Sequence, residues 1–150
     1  MAATCGYVTM GPSGGPEEAI PTLFLTQERA STASSESSSE SSGAHDGRLA
    51  NRFVVRDRSG ATVGGAYESC AKGLVGGRAL TAYCSGIIEI SGKGKIGFQA
   101  SRSVADGPDE RHTVVTGIVT GGTGAYADAG GEMDLTPPVS DADPWVAEFR

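Results

Sequence analysis

Gly121-Gly122-Thr123-Gly124-Ala125-Tyr126-Ala127-Asp128-Ala129-Gly130-Gly131-Glu132 lies between two strand-like runs, 113–120 and 132–136. A phosphate-binding loop would open a long helix at such a turn. Here there is room for one tight helical turn before the chain becomes extended again. Glycines permit positive φ and close backbone approach, which suits the rim of a barrel.

Outward from this turn the pattern is all strand. Extended runs are expected over 22–29, 52–57, 61–70, 78–90, 95–104, 111–120, 131–136 and 145–149. Hairpin-sized turns separate most of them, notably Arg58-Ser59-Gly60 and 91–94. Gly64-Gly65 inside a strand predicts a bulge or bend. Pro137-Pro138 ends the seventh strand, because proline cannot donate to a ladder. Eight sequential antiparallel strands manage their edges most completely by closing. The expected fold is therefore a single all-β, eight-stranded antiparallel up-and-down barrel over 21–150, with a β-sandwich as the alternative. Residues 1–20, rich in Gly and Pro, read as an irregular arm that could fold over one barrel mouth. Residues 31–47 read as a flexible Ser-rich loop, its 31–42 stretch being Ser with Thr, Ala and Glu.

Composition narrows the function. At 150 residues one core is expected, and 23 glycines favour short strands over long helices. A net charge of −6 speaks against nucleic acid as a partner. No apolar run approaches a membrane span, and the first residues lack the pattern of a signal peptide, so a cytoplasmic protein is expected. Three cysteines, Cys5, Cys70 and Cys84, read as free thiols in that setting. Cys70 and Cys84 could still meet across a hairpin, and a bond there stays open if an export signal has been removed. Two histidines and scattered cysteines offer no zinc spacing, so neither metal nor other cofactor is expected.

Two motifs fail on context. Gly11-Pro12-Ser13-Gly14-Gly15 has neither the strand nor the helix of a nucleophile elbow. Gly92-Lys93-Gly94-Lys95-Ile96-Gly97 leads into a strand, so it cannot set a pyrophosphate on a helix N-terminus.

Three pieces, in order, resemble one superfamily. Val55-Arg56-Asp57-Arg58-Ser59-Gly60-Ala61-Thr62-Val63-Gly64 is similar to a hairpin of dirigent-like proteins. Ala79-Leu80-Thr81-Ala82-Tyr83-Cys84 and Gly94-Lys95-Ile96-Gly97-Phe98-Gln99-Ala100 are similar to their central hairpin. The 121–132 turn resembles the glycine-rich segment of allene oxide cyclase and dirigent barrels. Bacterial spirotetronate and spirotetramate cyclases fit best, since Leu80-Thr81-Ala82-Tyr83 resembles a strand that presents a tyrosine to their pocket. The chain departs from them at Met133, Asp134 and Leu135, where a tryptophan can stand, and at Ala125, where an arginine is common.

The resemblance implies a cofactor-independent cyclase of bacterial polyketide-type biosynthesis. Such an enzyme closes a ring by a formal 4+2 cycloaddition (the Diels-Alderase type) inside an apolar barrel. A dirigent- or lipocalin-like binding protein without catalysis is the alternative. The expected partner is a small apolar polyketide-type substrate, and a homodimer or homotrimer is compatible. Tyr83 is the expected catalytic residue, its hydroxyl polarising a carbonyl.

Strand alternation then places Thr81 and Ser85 inward with Tyr83, and Leu80, Ala82 and Cys84 outward. If the two cysteines share a face, Tyr67 and Ser69 point inward as well. Either Phe98 or Gln99 faces in. The expected substrate-binding set is Tyr67, Ser69, Thr81, Ser85, Gln99, Met133, Leu135 and Trp145.

Overall fold

A computed structural model describes residues 19–28, 48–75, 79–103, 113–140 and 142–150. The 1–20 arm, except its last two residues, and the Ser-rich 31–47 loop lie outside the described residues.

Eight strands run in chain order: β1 Leu23–Gln27, β2 Arg48–Arg56, β3 Thr62–Val75, β4 Ala79–Ile90, β5 Gly94–Ser103, β6 Val115–Gly122, β7 Glu132–Thr136 and β8 Trp145–Phe149. Each pairs antiparallel with its neighbour, and β1 pairs with β8 to close the barrel, with Leu23 opposite Ala147. The meander is the one the sequence predicts. The expected bulge falls just before the glycine pair: Val55 faces Gly64 while Arg56 faces Thr62, so Val63 is the extra residue. No helix among the described residues is long and apolar enough to cross a membrane.

Alternation decides what fills the barrel. Leu23, Val55, Ile88, Ile96 and Met133 are fully enclosed and pack together at one end. The glycine-rich turn closes that end. Its single 3₁₀ turn, Gly124–Tyr126, drives Tyr126 into the core, leaving it 2% exposed. The turn is clamped to the β4–β5 hairpin by Thr123 N–H to Lys95 C=O and Ala125 N–H to Lys93 C=O, both 2.8 Å. Gly124 stands at φ +64, and a Cβ there would lie 2.2 Å from the Lys93 oxygen, so glycine is required.

The β2–β3 turn at the same end is held by one carboxylate. Asp57 accepts from the Ser59 hydroxyl at 2.6 Å and from the Ser59 and Ala61 amides at 2.8 and 3.1 Å. These bonds, the hydroxyl first, hold its carboxyl below the usual aspartate range. A depressed carboxylate stabilises the fold above its unfolded pKa, and that contribution is lost as pH falls through the folded value. The carboxyl signal of Asp57 is expected to titrate below that of an unstructured aspartate. A midpoint at or above the unstructured value would show that the turn bonds do not persist.

Cys70 and Cys84 form a disulfide across β3 and β4, where they are directly opposed. This corrects the expectation of free thiols. Both strands hold their cysteine on the inner face and in direct register, which brings the two sulfurs within bonding reach. Disulfides persist mainly in oxidising compartments, which weighs against a reducing cytosol.

Candidate functional site

The packed residues fill only one end of the barrel. At the other end the interior opens into a cavity of about 230 Å³. Its apolar walls come from Leu25, Phe53, Phe98, Val115, Leu135 and Trp145. Eight strands enclose about enough room for one small ligand. The hollow arises because β3, β4 and β5 bring small residues to its wall, Ala66, Cys84 and Ala100.

Gln27, Asn51, Glu68, Ser101 and Arg102 break the apolar lining. Gln27, Asn51 and Glu68 form a relay across β1, β2 and β3. Gln27 Nε2 donates to Asn51 Oδ1 at 3.0 Å, and Asn51 Nδ2 donates to Glu68 Oε1 at 3.2 Å. The relay fixes the Glu68 carboxylate within the wall, where Oε1 also lies 3.0 Å from the Cys70 sulfur. Arg102 enters from β5, its guanidinium 5.9 Å from the ring centroid of Trp145. A cation over an indole face is stabilised by the ring quadrupole. Arg102 Nε is buried and makes no hydrogen bond among the described residues. A buried donor left unmade costs about 1–3 kcal/mol, so a water or a ligand acceptor that completed the bond would be held favourably there. The site thus offers an aromatic-walled chamber with a fixed carboxylate and a cation carrying an unused donor.

The residues expected from sequence are divided by the barrel wall. Leu135 and Trp145 line the cavity, and Met133 is enclosed more deeply, in the packed core. Phe98, 3% exposed, is the inward member of its pair, so Gln99 points out. The inward placement of Tyr83 is corrected: it is 55% exposed on the outer surface, and Thr81 and Ser85 share its face. Tyr67 is also outside, 51% exposed and opposite Ile87, with Ser69 on the same side. Ala82 and Cys84, expected outside, are inside. The physical reason is volume and hydration. The narrow interior accepts alanine and cysteine, whereas a tyrosine hydroxyl keeps its water on the exterior.

Tyr83, Ser85 and Gln99 do come together, with Thr116, Ile118 and Glu132, along an outer groove of about 510 Å³. That groove is open to solvent and excludes little water from anything lying in it. Tyr83→Phe is therefore expected to leave ligand affinity and any turnover in the cavity within about twofold, because a hydrogen-bond loss distant from the site adds nothing there. A tenfold fall in turnover would move the reaction to the outer groove.

Glu68, Asn51, Gln27 and Arg102 escape the sequence reading. The signal for them was present: Glu68 shares the parity of Cys70, and Arg102 shares that of Phe98.

No family model matches this chain, and no curated protein sequence matches it. Among solved structures, the chain is similar to a pyocyanin demethylase at a TM-score of 0.60 and 18% identity, over 86% of this chain and 98% of that one. At that identity the likeness is one of fold: a small antiparallel barrel of this build is shared with an enzyme.

Proposed function

We propose that this chain is a small-molecule-processing barrel enzyme that closes a ring in its substrate within the interior cavity. The observation that carries this reading is Arg102, whose buried Nε has no partner among the described residues, on the wall of a largely apolar chamber. A substrate carbonyl or enolate oxygen would complete that bond. Negative charge growing on the oxygen as the ring forms would be stabilised by a donor already in place. The walls would hold the two reacting ends together, which lowers the entropic part of the barrier. Glu68, oriented by Asn51, would accept a hydrogen bond from a hydroxyl of the substrate. The sequence resemblance to allene oxide cyclase and dirigent barrels supports this reaction class, while Tyr83, the residue that links the chain to the spirotetronate cyclases, stands outside the cavity. A fold neighbour named for the demethylation of pyocyanin supports the coarser part alone, a barrel enzyme that processes a small molecule.

The size of the chamber limits the substrate. About 230 Å³ lies below the roughly 300–1,000 Å³ of common ligand pockets. The chamber suits a small ring system, or the reacting end of a longer chain whose remainder leaves through the open mouth.

The test incubates the purified chain with a linear polyene carrying a terminal β-dicarbonyl and a dienophile, and follows ring closure by chromatography and mass spectrometry. Saturable acceleration that is lost in Arg102→Met is expected. Binding without acceleration would make the barrel a carrier of the dirigent or lipocalin type, and the cyclase reading would fall.

A further inference from the structure

At the cavity wall Glu68, which orients substrate in the ring-closure reading, also stands beside the two cysteines, which that reading does not use. Glu68 and Cys70 point inward from β3, and Cys84 points inward from β4 directly opposite Cys70. One carboxylate oxygen and both sulfurs lie within 4.8 Å of one another.

We propose that reduction of the Cys70–Cys84 bond turns Glu68, Cys70 and Cys84 into a binding site for a divalent cation of the zinc class. Two thiolates and a carboxylate match the preferences of that borderline-soft ion, whose bonds are about 2.3 Å to sulfur and about 2.0–2.2 Å to oxygen. In a tetrahedral dithiolate the sulfurs stand about 3.8 Å apart by these bond lengths. Opposed cysteines on a paired ladder reach that spacing by rotation of their side chains, with no movement of either strand. Asn51 already holds Glu68 Oε1 from behind, as a partner beyond the ligands does in established metal sites. The same Oε1 lies 3.0 Å from the Cys70 sulfur, and its second lone pair is available to the ion. Two thiolates and a carboxylate against a dication leave one negative charge, which the guanidinium of Arg102 on the same wall offsets. Three protein ligands leave a fourth position, and it faces the cavity, so a water or an organic ligand would take it.

The chemistry balances. A dithiol or phosphine reductant supplies two electrons and two protons accompany them, giving two thiols. The ion then displaces those two protons as it binds. Oxidation re-forms the bond and expels the ion. The redox state of one pair of sulfurs would decide whether the chamber holds a cation. This inference stands apart from the ring-closure reading and does not depend on it.

The experiment uses the full chain and cobalt(II) as a spectroscopic stand-in for zinc. The protein is reduced with a phosphine, freed of reductant without air, and shown to have gained two titratable thiols and kept its β-type circular dichroism. Cobalt is then titrated. One equivalent is expected to produce a near-ultraviolet thiolate-to-cobalt charge-transfer band and the visible bands of a tetrahedral ion, and zinc should bleach both. The oxidised chain should show neither. Cys84→Ser should abolish the spectrum. Glu68→Gln, which keeps both thiols and the fold's packing, should weaken binding at least about tenfold. A folded, reduced chain that gives no saturable spectrum overturns the proposal. So does Glu68→Gln binding cobalt as tightly as the unaltered chain, or an oxidised chain binding as well as the reduced one.

Discussion

Arg102→Met is expected to weaken the binding of 2-naphthoate, an aromatic carboxylate of the size the cavity accepts, by roughly 10- to 100-fold. A hydrogen bond to a charged group contributes about 1.5–3 kcal/mol, and each 1.4 kcal/mol is tenfold in affinity. Methionine fills much the same volume and still packs against the ring of Trp145, so the wall survives while the donor is lost. Titration calorimetry measures the effect directly. The neutral amide of the same ring system should lose far less affinity, since it offers only a neutral acceptor. If the carboxylate and the amide weaken equally, the arginine shapes the cavity without reading the ligand. If neither weakens, the buried guanidinium plays no part in binding.

The second large effect falls on the fold. Gly64 and Gly65 are adjacent and chemically identical, yet the barrel treats them differently. A Cβ on Gly64 would stand 1.8 Å from the backbone oxygen of Glu89, beside the bulge at Val63. A backbone oxygen inside a ladder cannot move aside without opening the ladder. A Cβ on Gly65 would meet nothing closer than the Phe53 oxygen at 3.6 Å, an ordinary contact. Gly64→Ala is expected to destabilise the protein by about 3 kcal/mol or more. That corresponds to a fall on the order of 10 °C in melting temperature, or failure to fold. Gly65→Ala should change stability by less than about 1 kcal/mol, because a less flexible unfolded chain offsets any small crowding. Equal melting temperatures for the two variants would refute the close approach of β3 to β4.

The ring of strands was legible because its punctuation is local. Asp57–Gly60, 91–94 and the 121–132 turn each reveal themselves through glycine and short polar residues, whatever lies elsewhere in the chain. The inner face was not legible from tyrosine. A tyrosine suits either side of a wall, and on β4 a better guide was available: Ser85 and Glu89 share the parity of Tyr83, while Ile88 and Ile90 share that of Cys84. Counting the carboxylate would have turned Tyr83 outward. On β3 the guide was weaker, since the inward set of Ala66, Glu68 and Cys70 includes a charge. That charge sits inside because Asn51 on the neighbouring strand receives it, a cross-strand pairing set by register. The same holds for Arg102 and Trp145, which are far apart in the sequence and meet only once the barrel closes.

The barrel is, in effect, a cup. Its base is made of enclosed aliphatic side chains, Tyr126 and short turns, and its rim is where the β1–β2, β3–β4, β5–β6 and β7–β8 connections leave the strands. Base and rim therefore carry separate obligations in the history of such a protein. Changes at the base are tested by stability, since every residue there packs against several others. Changes at the rim are tested by what enters, and lengthening a connection costs little, because closure entropy grows only with the logarithm of its length. A lineage can thus exchange rim segments and acquire new substrates while inheriting the same vessel. One cup could serve unrelated chemistries even after its sequence has drifted beyond recognition.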